Sequence, residues 1–221
     1  METALVIGAS GGIGRALVAE LAARGVQVTG LSRAADGLDV TDEASVAQHL
    51  GALQGPFGTL IVATGALEIG PHRPEKTLRA LDPAALAAQF LLNAAGPALV
   101  VKHAIRLLPR AGPGRIGVLS ARVGSIGDNA LGGWYSYRAA KAALNQLIHT
   151  AAVELARSHP QAVLALLHPG TVATGLTAKY AGNHPTVAPG EAAQNLLAVL
   201  GRLTPAQSGG FYDWAGKSVV W

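Results

Sequence analysis

The sequence predicts an α/β fold, a doubly wound parallel sheet of about seven strands with helices on both faces. Three observations indicate this fold. Short apolar runs of strand length alternate with helical patterns along the whole chain, the first run ends in a glycine-rich turn, and the polar residues that could carry chemistry follow the strands. With 221 residues, of which 50% are apolar, the chain can form one such domain, which we place at residues 1-221. The carboxyl ends of the strands, where ligands bind, would share one edge of the sheet.

The composition narrows the kinds of site that the chain can form. It contains no cysteine, which excludes disulfides, thiolate nucleophiles and cysteine-based zinc sites. None of the seven histidines is spaced from another like a metal-binding pair on a helix, so we predict no metal. The net charge of +4 comes from scattered Lys and Arg residues, which favours an anionic cofactor over nucleic acid. There is no run of 18 apolar residues and no signal-peptide pattern, so we expect a cytoplasmic protein with no membrane partner.

The first strand and the first helix flank a glycine turn. Thr3–Ile7 is a short apolar run, Gly8, Gly12 and Gly14 follow it with the spacing G-x-x-x-G-x-G, and residues 15–21 have a helical period. Glycine lets the backbone approach a pyrophosphate, and the start of a helix offers free N–H groups to that charge. The turn therefore predicts a nucleotide site, with these residues beside the cofactor: Gly8, Ser10, Gly11, Gly12 and Ile13.

The second predicted strand, residues 26–31, ends at Ser32 and Arg33. An NAD site places an acid on the ribose 2′-hydroxyl at this point, whereas an NADP site needs a cation for the 2′-phosphate. We therefore predict that Ser32 and Arg33 contact the cofactor, that NADP(H) is preferred, and that NAD(H) is the alternative. Arg15 is a candidate helper, and the other interpretation of Arg33 is an ordinary surface arginine.

Residues 38–40 predict a short third strand, and residues 41–43 begin a helix with an N-cap and acids in its first turn. Asp39 and the adjacent Val40 are placed at the adenine edge of the cofactor. The alternative for Asp39 is a turn aspartate bonded to nearby backbone.

The next apolar run, residues 59–62, leads into a turn of small residues. Glycine would leave room there for a ribose or nicotinamide, so Ala63, Thr64 and Gly65 are also predicted to contact the cofactor. Residues 68–83 are polar and rich in proline, which indicates a surface connection.

A long helical stretch, residues 83–109, contains Asn93 and Pro97. Proline has no N–H for the carbonyl four residues earlier, so the sequence predicts that the Asn93 carbonyl lacks its helical partner. In a buried helix such a carbonyl needs a water or an ammonium, and a water linked to Lys141 is a candidate. The alternative is a kinked packing helix with an incidental asparagine.

Tyr137 and Lys141 lie near the start of the next long helix, residues 135–158, and share one of its faces because they are four residues apart. An ammonium near a phenol favours the phenolate and typically lowers its pKa by about 1 to 3 units. Tyr137 could then give a proton to a carbonyl oxygen or take one from an alcohol. An ordinary surface pair is the alternative.

The remaining elements complete the sheet. Three more strands are predicted, at residues 114–119 (ending before Ser120), 162–167 and 211–214. A helix is predicted at residues 185–201 and a docked tail at residues 215–221. The turn after residue 167 offers backbone and hydroxyl groups that could hold a carboxamide. It adds these residues to the predicted cofactor site: Pro169, Gly170, Thr171, Val172 and Thr174.

The glycine turn, Asn93, the Ser120 region and Tyr137-x-x-x-Lys141 together resemble the short-chain dehydrogenases/reductases over essentially the whole chain. The longer strings at residues 117–129 and 132–138, the Pro-Gly-Thr-Val turn and the Asp-Trp-x-Gly-Lys ending are similar to the C-factor and sniffer-type carbonyl reductase branch. The resemblance implies a Rossmann fold and a homodimer or homotetramer formed through the long helices that bear Asn93 and Tyr137.

The resemblance also implies catalytic roles. Tyr137 would be the general acid/base, Lys141 would lower its pKa and bind the nicotinamide ribose, and Asn93 would complete a water-linked proton relay. The family's second serine after the preceding strand, which holds the substrate oxygen, is replaced here by Ala121. Ser120 is therefore the named candidate, with Ser125 as the alternative.

Two classes of function fit these residues. The first is an NADP(H)-dependent oxidoreductase that reduces a small carbonyl compound or oxidises the alcohol, with substrate contacts from residues 122–134 and 173–189. The second is a nucleotide-binding sensor or C-factor-like signalling protein with weak or no turnover, which the Ala121 departure favours. A sugar-nucleotide epimerase would need an extra substrate domain for which the chain has no room.

Overall fold

One parallel sheet of six strands organises the chain. The computed structural model describes residues 2–175, 177, 179–180 and 185–221. Its strands lie in the order β2-β1-β3-β4-β5-β6 and are all parallel. Their bounds are β1 Thr3–Ile7, β2 Gln27–Leu31, β3 Thr59–Val62, β4 Arg115–Leu119, β5 Val163–His168 and β6 Phe211–Asp213. The predicted fold class is confirmed, with one strand fewer than expected.

Helices cover both faces of this sheet. Their bounds are α1 Gly12–Ala23, α2 Arg33–Asp36, α3 Glu43–Gly51, α4 Pro83–Phe90, α5 Gly96–Ala104, α6 Tyr135–Ser158 and α7 Pro189–Arg202. Along β1, Leu5 and Ile7 pack into the core shared with α3, α5 and α6, whereas Ala4 and Val6 pack into the core shared with α1 and α7. Both faces of β1 are thus buried, as expected for a central strand of a doubly wound sheet, whereas β2 is only partly buried.

The missing strand is the predicted one at residues 38–40. Leu38 and Val40 are buried as a strand would be, but the chain first forms α2, a single turn that Ser32 caps with its hydroxyl. The Leu38 N–H then returns to the Ser32 carbonyl at 3.3 Å, so the segment closes a turn instead of pairing with β2. β2 consequently remains the edge strand.

The long helical stretch is interrupted at Asn93, the residue whose carbonyl was predicted to lack its helical partner because of Pro97. A π-helical turn, Leu91–Ala95, separates α4 from α5 and contains Asn93. Pro97 lies in the first turn of α5, where a missing N–H is tolerated. π-helical turns inside helices often mark functional positions.

The same stretch, Pro83–Leu107, is the one part of the described chain that is long and apolar enough to cross a membrane by length and composition alone. Five of its residues lie in the main core, namely Ala94, Val100, Val101, Ala104 and Leu107. Core packing is a sufficient reason for its apolar composition.

The order of the strands reverses direction between β1 and β3. The chain passes from β1 to β2 on one side, then returns to place β3, β4, β5 and β6 on the other side. In open α/β sheets, ligands bind in the crevice at such a switch point, beyond the carboxyl ends of the strands. The turns after β1, β2, β3, β4 and β5, with the starts of the helices that follow them, carry most predicted site residues, whereas Asn93, Tyr137 and Lys141 lie on helices.

Candidate active site

The glycine turn after β1 is closed by backbone contacts that admit no side chain. Gly8 has φ +87°, and a Cβ added to it would lie 2.6 Å from the Ala63 carbonyl oxygen. A Cβ added to Gly14 would lie 2.0 Å from the Gly8 carbonyl oxygen. The first turn of α1 contains no acidic residue, and Gly11 before it offers no side-chain cap. Its free N–H groups are therefore available to an anion.

A second wall of the crevice is formed by the turn after β3. Thr64 Oγ1 is buried and, among the described residues, has no hydrogen-bond partner. A buried hydroxyl in that state indicates a ligand or water that completes it. A Cβ added at Gly65, whose φ is +145°, would lie 2.7 Å from Asn93 Oδ1 and 3.6 Å from Lys141 Nζ. Only glycine lets this turn, Asn93 and Lys141 meet, and these features fit a dinucleotide laid across the crevice.

Tyr137 and Lys141 lie on the buried face of α6, at the carboxyl edge of the sheet. Tyr137 is 8% exposed and Lys141 is 3% exposed. Lys141 Nζ donates to the Leu119 carbonyl at 3.1 Å and lies 5.9 Å from the centroid of the Tyr137 ring. Tyr137 and Lys141 are therefore neighbours, as their spacing predicted. Because both are buried, the alternative of an ordinary surface pair is wrong.

The pKa of Tyr137 is raised in this structure, whereas the sequence predicted that Lys141 lowers it. Burial raises the pKa of Tyr137 to about 12, and burial lowers the pKa of Lys141 to about 8. The predicted net lowering of the Tyr137 pKa is therefore wrong, because the loss of solvent at the phenol outweighs the attraction of the Lys141 charge. The physical reason is that both groups are desolvated, and each neutral form is favoured.

The side chain of Asn93 holds the turn after β3 in place. Its Oδ1 accepts the Ala66 N–H at 3.0 Å, and its Nδ2 donates to the Ala66 carbonyl at 2.8 Å and to Gln89 Oε1 at 2.6 Å. Gln89 in turn donates to the Leu67 carbonyl at 2.8 Å. Asn93 is fully buried, so its side chain has a structural role here, and its part in a proton relay stays a prediction.

The Ser120 hydroxyl is bonded to a residue of α6 other than Tyr137. It donates to Asn145 Oδ1 at 2.6 Å, one helical turn beyond Lys141, and Ser120 is 4% exposed. The alternative, Ser125, is also buried and accepts the Asp128 N–H at 3.1 Å. The structure gives both hydroxyls structural partners, so neither is presented as a holder of the substrate oxygen.

The turn after β2 places its polar groups at the edge of the crevice. Arg33 is exposed, and no ion pair forms at it within the described residues. The Asp36 carboxylate accepts a hydrogen bond from the Ser32 backbone N–H at 2.7 Å. Asp39 accepts the Thr41 N–H at 2.9 Å and the Thr41 hydroxyl at 2.6 Å, which together lower the pKa of Asp39. Asp39 is thus a turn aspartate bonded to nearby backbone, which is the alternative that the sequence offered for it.

The turn after β5 lies across the glycine turn. Gly170 has φ +78°, and Val172 pairs with Val187 through backbone hydrogen bonds. A Cβ added at Gly12 would lie 2.6 Å from Thr174 Cγ2. A cleft of about 730 Å³ opens here, lined by Gly12, Arg15, Ala173, Thr174, Gly175, Thr177, Thr186 and Pro189. Of the predicted substrate segment 173–189, residues 176, 178 and 181–184 lie outside the described part of the chain.

Trp134 and Tyr180 belong to the predicted substrate segments 122–134 and 173–189, whereas sequence reasoning missed Glu75. The Trp134 ring packs edge-on against two tyrosines, with ring centroids 6.3 Å apart for Trp134 and Tyr137 and 5.6 Å apart for Trp134 and Tyr180. Glu75, from the predicted surface connection 68–83, is 5% exposed, so that prediction is wrong at this residue. The local sequence contains no signal for its burial, because the contact is with a helix 61 residues later.

His168, at the end of β5, makes the stability of this edge depend on pH. Burial and the nearby Arg122 lower the pKa of His168 from its ordinary 6.5 to about 4, with Asp213 opposing them. The unfolded chain therefore binds more protons between pH 6.5 and 4, and stability falls as the pH is lowered through this window, by up to about 3 kcal/mol. Urea unfolding at pH 7 and pH 4.5 should show a smaller loss in His168→Gln than in the wild type. Equal losses would contradict the assignment.

Comparisons with known proteins agree with this geometry. A family model described as short chain dehydrogenase matches residues 2–184. The chain belongs to the short-chain dehydrogenase/reductase family. It is 34% identical, over the full length of both chains, to 1-hydroxy-2-glutathionyl-2-methyl-3-butene dehydrogenase of Rhodococcus sp. (strain AD45). This short-chain dehydrogenase/reductase is accordingly an oxidoreductase.

Two further matches refine the family assignment. C-signal of Myxococcus xanthus is 34% identical over 64% of this chain and 81% of its own length, in agreement with the predicted C-factor branch. The crystal structure of a short-chain dehydrogenase/reductase from Burkholderia multivorans with bound NADP has a TM-score of 0.78 and 26% identity, and covers 100% of this chain and 99% of that one.

Proposed function

We propose that this short-chain dehydrogenase/reductase is an NADP(H)-dependent enzyme that reduces a small carbonyl compound, or oxidises the alcohol, with Tyr137 as the proton donor or acceptor. One observation carries the proposal: the buried Lys141 ammonium and the buried Asn93 amide meet at the Gly65 turn, and the buried Tyr137 ring lies 5.9 Å from that ammonium. The Burkholderia multivorans relative with bound NADP supports the cofactor.

The residues that would hold NADP(H) line the crevice in order. The glycine turn would receive the pyrophosphate, Arg33 the 2′-phosphate, and the turns after β3 and β5 the nicotinamide half. Thr64 Oγ1, buried without a partner in the described chain, is one atom that a bound cofactor would satisfy. NADPH held by these residues would supply the hydride for the carbonyl carbon of the substrate.

The protein supplies the proton. The Tyr137 hydroxyl, protonated at neutral pH because burial raises its pKa to about 12, donates to the carbonyl oxygen as negative charge develops there. Lys141 is mostly protonated at pH 7, since its pKa is about 8, and its charge 5.9 Å from the phenol ring stabilises the phenolate that remains. Asn93 keeps the Gly65 turn in place through both of its bonds to Ala66.

Oxidation of NADPH with a panel of aldehydes and ketones tests this proposal. The panel should include glutathione conjugates, because the Rhodococcus relative is named for such a substrate. We expect at least one carbonyl to be reduced with loss of NADPH absorbance. Tight NADPH binding without turnover of any compound would contradict the proposal.

The cofactor preference is tested by Arg33→Ala. We expect NADPH binding to weaken by about 1 to 3 kcal/mol, the range for a charge-assisted hydrogen bond, with NADH binding nearly unchanged. Arg24→Ala is the matched control, because Arg24 is a surface arginine paired with Glu20 at 2.8 Å on α1. Tighter binding of NADH than NADPH by the wild type, in a fluorescence titration, would remove Arg33 from this role.

A second function, a nucleotide-binding sensor or signalling protein, is favoured by two observations. Ala121 replaces the serine expected to hold the substrate oxygen, and the Ser120 hydroxyl is bound to Asn145. The similarity to C-signal supports the same alternative. Cofactor binding without turnover in the carbonyl panel is the result that this function predicts.

Assembly into a homodimer or homotetramer is part of the same proposal. Apolar side chains exposed on α4 and α6, namely Phe90, Leu147 and Val153, support it. A cytoplasmic location stays a prediction from the sequence.

A further inference from the structure

The start of α6 is capped by a residue from a distant segment. Trp134, the residue before the helix, has φ 54° and ψ 42° and supplies no side-chain cap. The Glu75 carboxylate instead accepts the Ser136 N–H at 3.2 Å and the Ser136 hydroxyl, and the Glu75 carbonyl accepts the Trp134 N–H at 2.5 Å. The first N–H groups of a helix lack partners within it, and an acid near them is stabilising. Glu75 therefore holds the residues on both sides of Tyr135.

The two residues that Glu75 holds are neighbours of Tyr137. Ser136 precedes Tyr137 directly and is 2% exposed, and the Trp134 ring meets the Tyr137 ring edge-on. Trp134 has a left-handed backbone conformation, which a bulky residue adopts only where its surroundings enforce it. A shift of Trp134 or Ser136 would thus be passed to the phenol.

The contacts of Glu75 join the segment after β3 to the start of α6. Arg138 already holds the preceding loop to the helix, since its guanidinium donates to the carbonyls of Gly133 at 3.0 Å and Gly132 at 3.1 Å. Glu75 belongs to the segment that follows β3 and the Gly65 turn, so its bonds tie the start of α6 to that side of the site. Both partners of the bond to Ser136 are buried, where a hydrogen bond to a charged group is strong and costly to lose.

We propose that Glu75 is a positioning residue: through Ser136 and Trp134, its buried carboxylate fixes the first turn of α6 and with it the Tyr137 phenol. The inference rests on the proposed function, because it assigns Tyr137 the proton transfer. Glu75 exchanges no proton with the substrate and acts only on the placement of the phenol. A merely structural cap would change stability alone, whereas a positioning residue also changes kcat.

Three variants separate these roles. Glu75→Ala removes the carboxylate, Glu75→Gln keeps an oxygen that accepts from Ser136, and Asp42→Ala removes a cap of α3 that accepts the Ala44 N–H at 3.0 Å. We expect Glu75→Ala to lower kcat by about tenfold or more, since a misplacement of 1 Å can cost about a hundredfold, and to leave the NADPH dissociation constant within about twofold. Glu75→Gln should recover most of kcat. Asp42→Ala should keep the wild-type kcat despite a similar loss of stability.

Equal kcat in Glu75→Ala and the wild type would overturn the inference, as would an equal loss in Glu75→Gln and Glu75→Ala. Should Glu75→Ala fail to fold, Ser136→Ala takes its place, because it removes only the hydroxyl bond and is expected to lower kcat without changing NADPH affinity.

A readout independent of turnover distinguishes failure of this inference from failure of the proposed function. Trp134 is the only one of the three Trp residues left in a Trp214→Phe/Trp221→Phe background. Acrylamide quenching of its fluorescence should rise in Glu75→Ala and not in Glu75→Gln. Unchanged quenching would overturn the inference, whereas a wild type that reduces no carbonyl counts against the proposed function alone.

Discussion

Tyr137→Phe is expected to abolish turnover and to leave cofactor binding nearly intact. The substitution removes only the hydroxyl, and the ring keeps its place, 8% exposed, against Trp134. General acid catalysis by a positioned side chain is worth about 10² to 10⁴ in rate, so kcat for carbonyl reduction should fall by that factor. The measurement is the initial rate of NADPH oxidation at saturating substrate, beside an NADPH titration of each protein.

Tyr135→Phe is the matched control for this loss. Tyr135 lies on the same helix two residues earlier, so it faces away from Tyr137, and its replacement should leave kcat unchanged. Equal rates in the wild type and Tyr137→Phe would remove Tyr137 from the mechanism.

Gly14→Ala is expected to disrupt both the fold of the glycine turn and nucleotide binding. The new Cβ would lie 2.0 Å from the Gly8 carbonyl oxygen and 3.1 Å from Ala9 Cα, so backbone has to move rather than a flexible side chain. Overpacking of this kind costs about 1 to 3 kcal/mol in unfolding free energy. Because the same backbone would cradle the pyrophosphate, NADPH affinity should fall as well. Urea unfolding and NADPH titration measure the two effects.

Gly51→Ala separates this effect from the general consequence of replacing glycine. A Cβ at Gly51, at the end of α3, meets no atom within 4 Å, so its substitution should be neutral or stabilise by up to about 1 kcal/mol. Wild-type stability and NADPH affinity in Gly14→Ala would contradict the description of the turn.

Local sequence predicted those parts of the site that depend on neighbours along the chain. The glycine spacing predicted the closed turn, because only glycine tolerates its φ angles and close contacts. The four-residue spacing predicted that Tyr137 and Lys141 share a face, and Pro97 predicted that the Asn93 carbonyl lacks its helical partner, at what proves to be a π-helical turn. Each is a short-range rule of backbone geometry.

Contacts between distant segments were not predictable in the same way. Glu75 lies in a polar, proline-rich stretch, and its burial depends on the start of a helix that the sequence places far away. The segment at residues 38–40 has the apolar pattern of a strand, but burial alone does not distinguish a strand from a buried turn. The Ser120 hydroxyl donates to Asn145, and the two residues meet only because α6 packs near the end of β4.

The pKa of Tyr137 shows a third limit. Spacing predicts which charges are neighbours, whereas the balance between their attraction and the loss of solvent depends on how deeply both are buried. Burial dominates here and raises the pKa of Tyr137 to about 12.

A crystal structure of the complex with NADP+ tests the central claim most directly. We expect the pyrophosphate over the turn from Gly8 to Gly14, and the Tyr137 hydroxyl beside the nicotinamide ring with room for one carbonyl group, about 3 to 3.5 Å from each reacting atom. A nicotinamide bound elsewhere, with the Tyr137 hydroxyl facing bulk solvent or another subunit, would contradict the assignment of Tyr137 and leave only a nucleotide-binding fold.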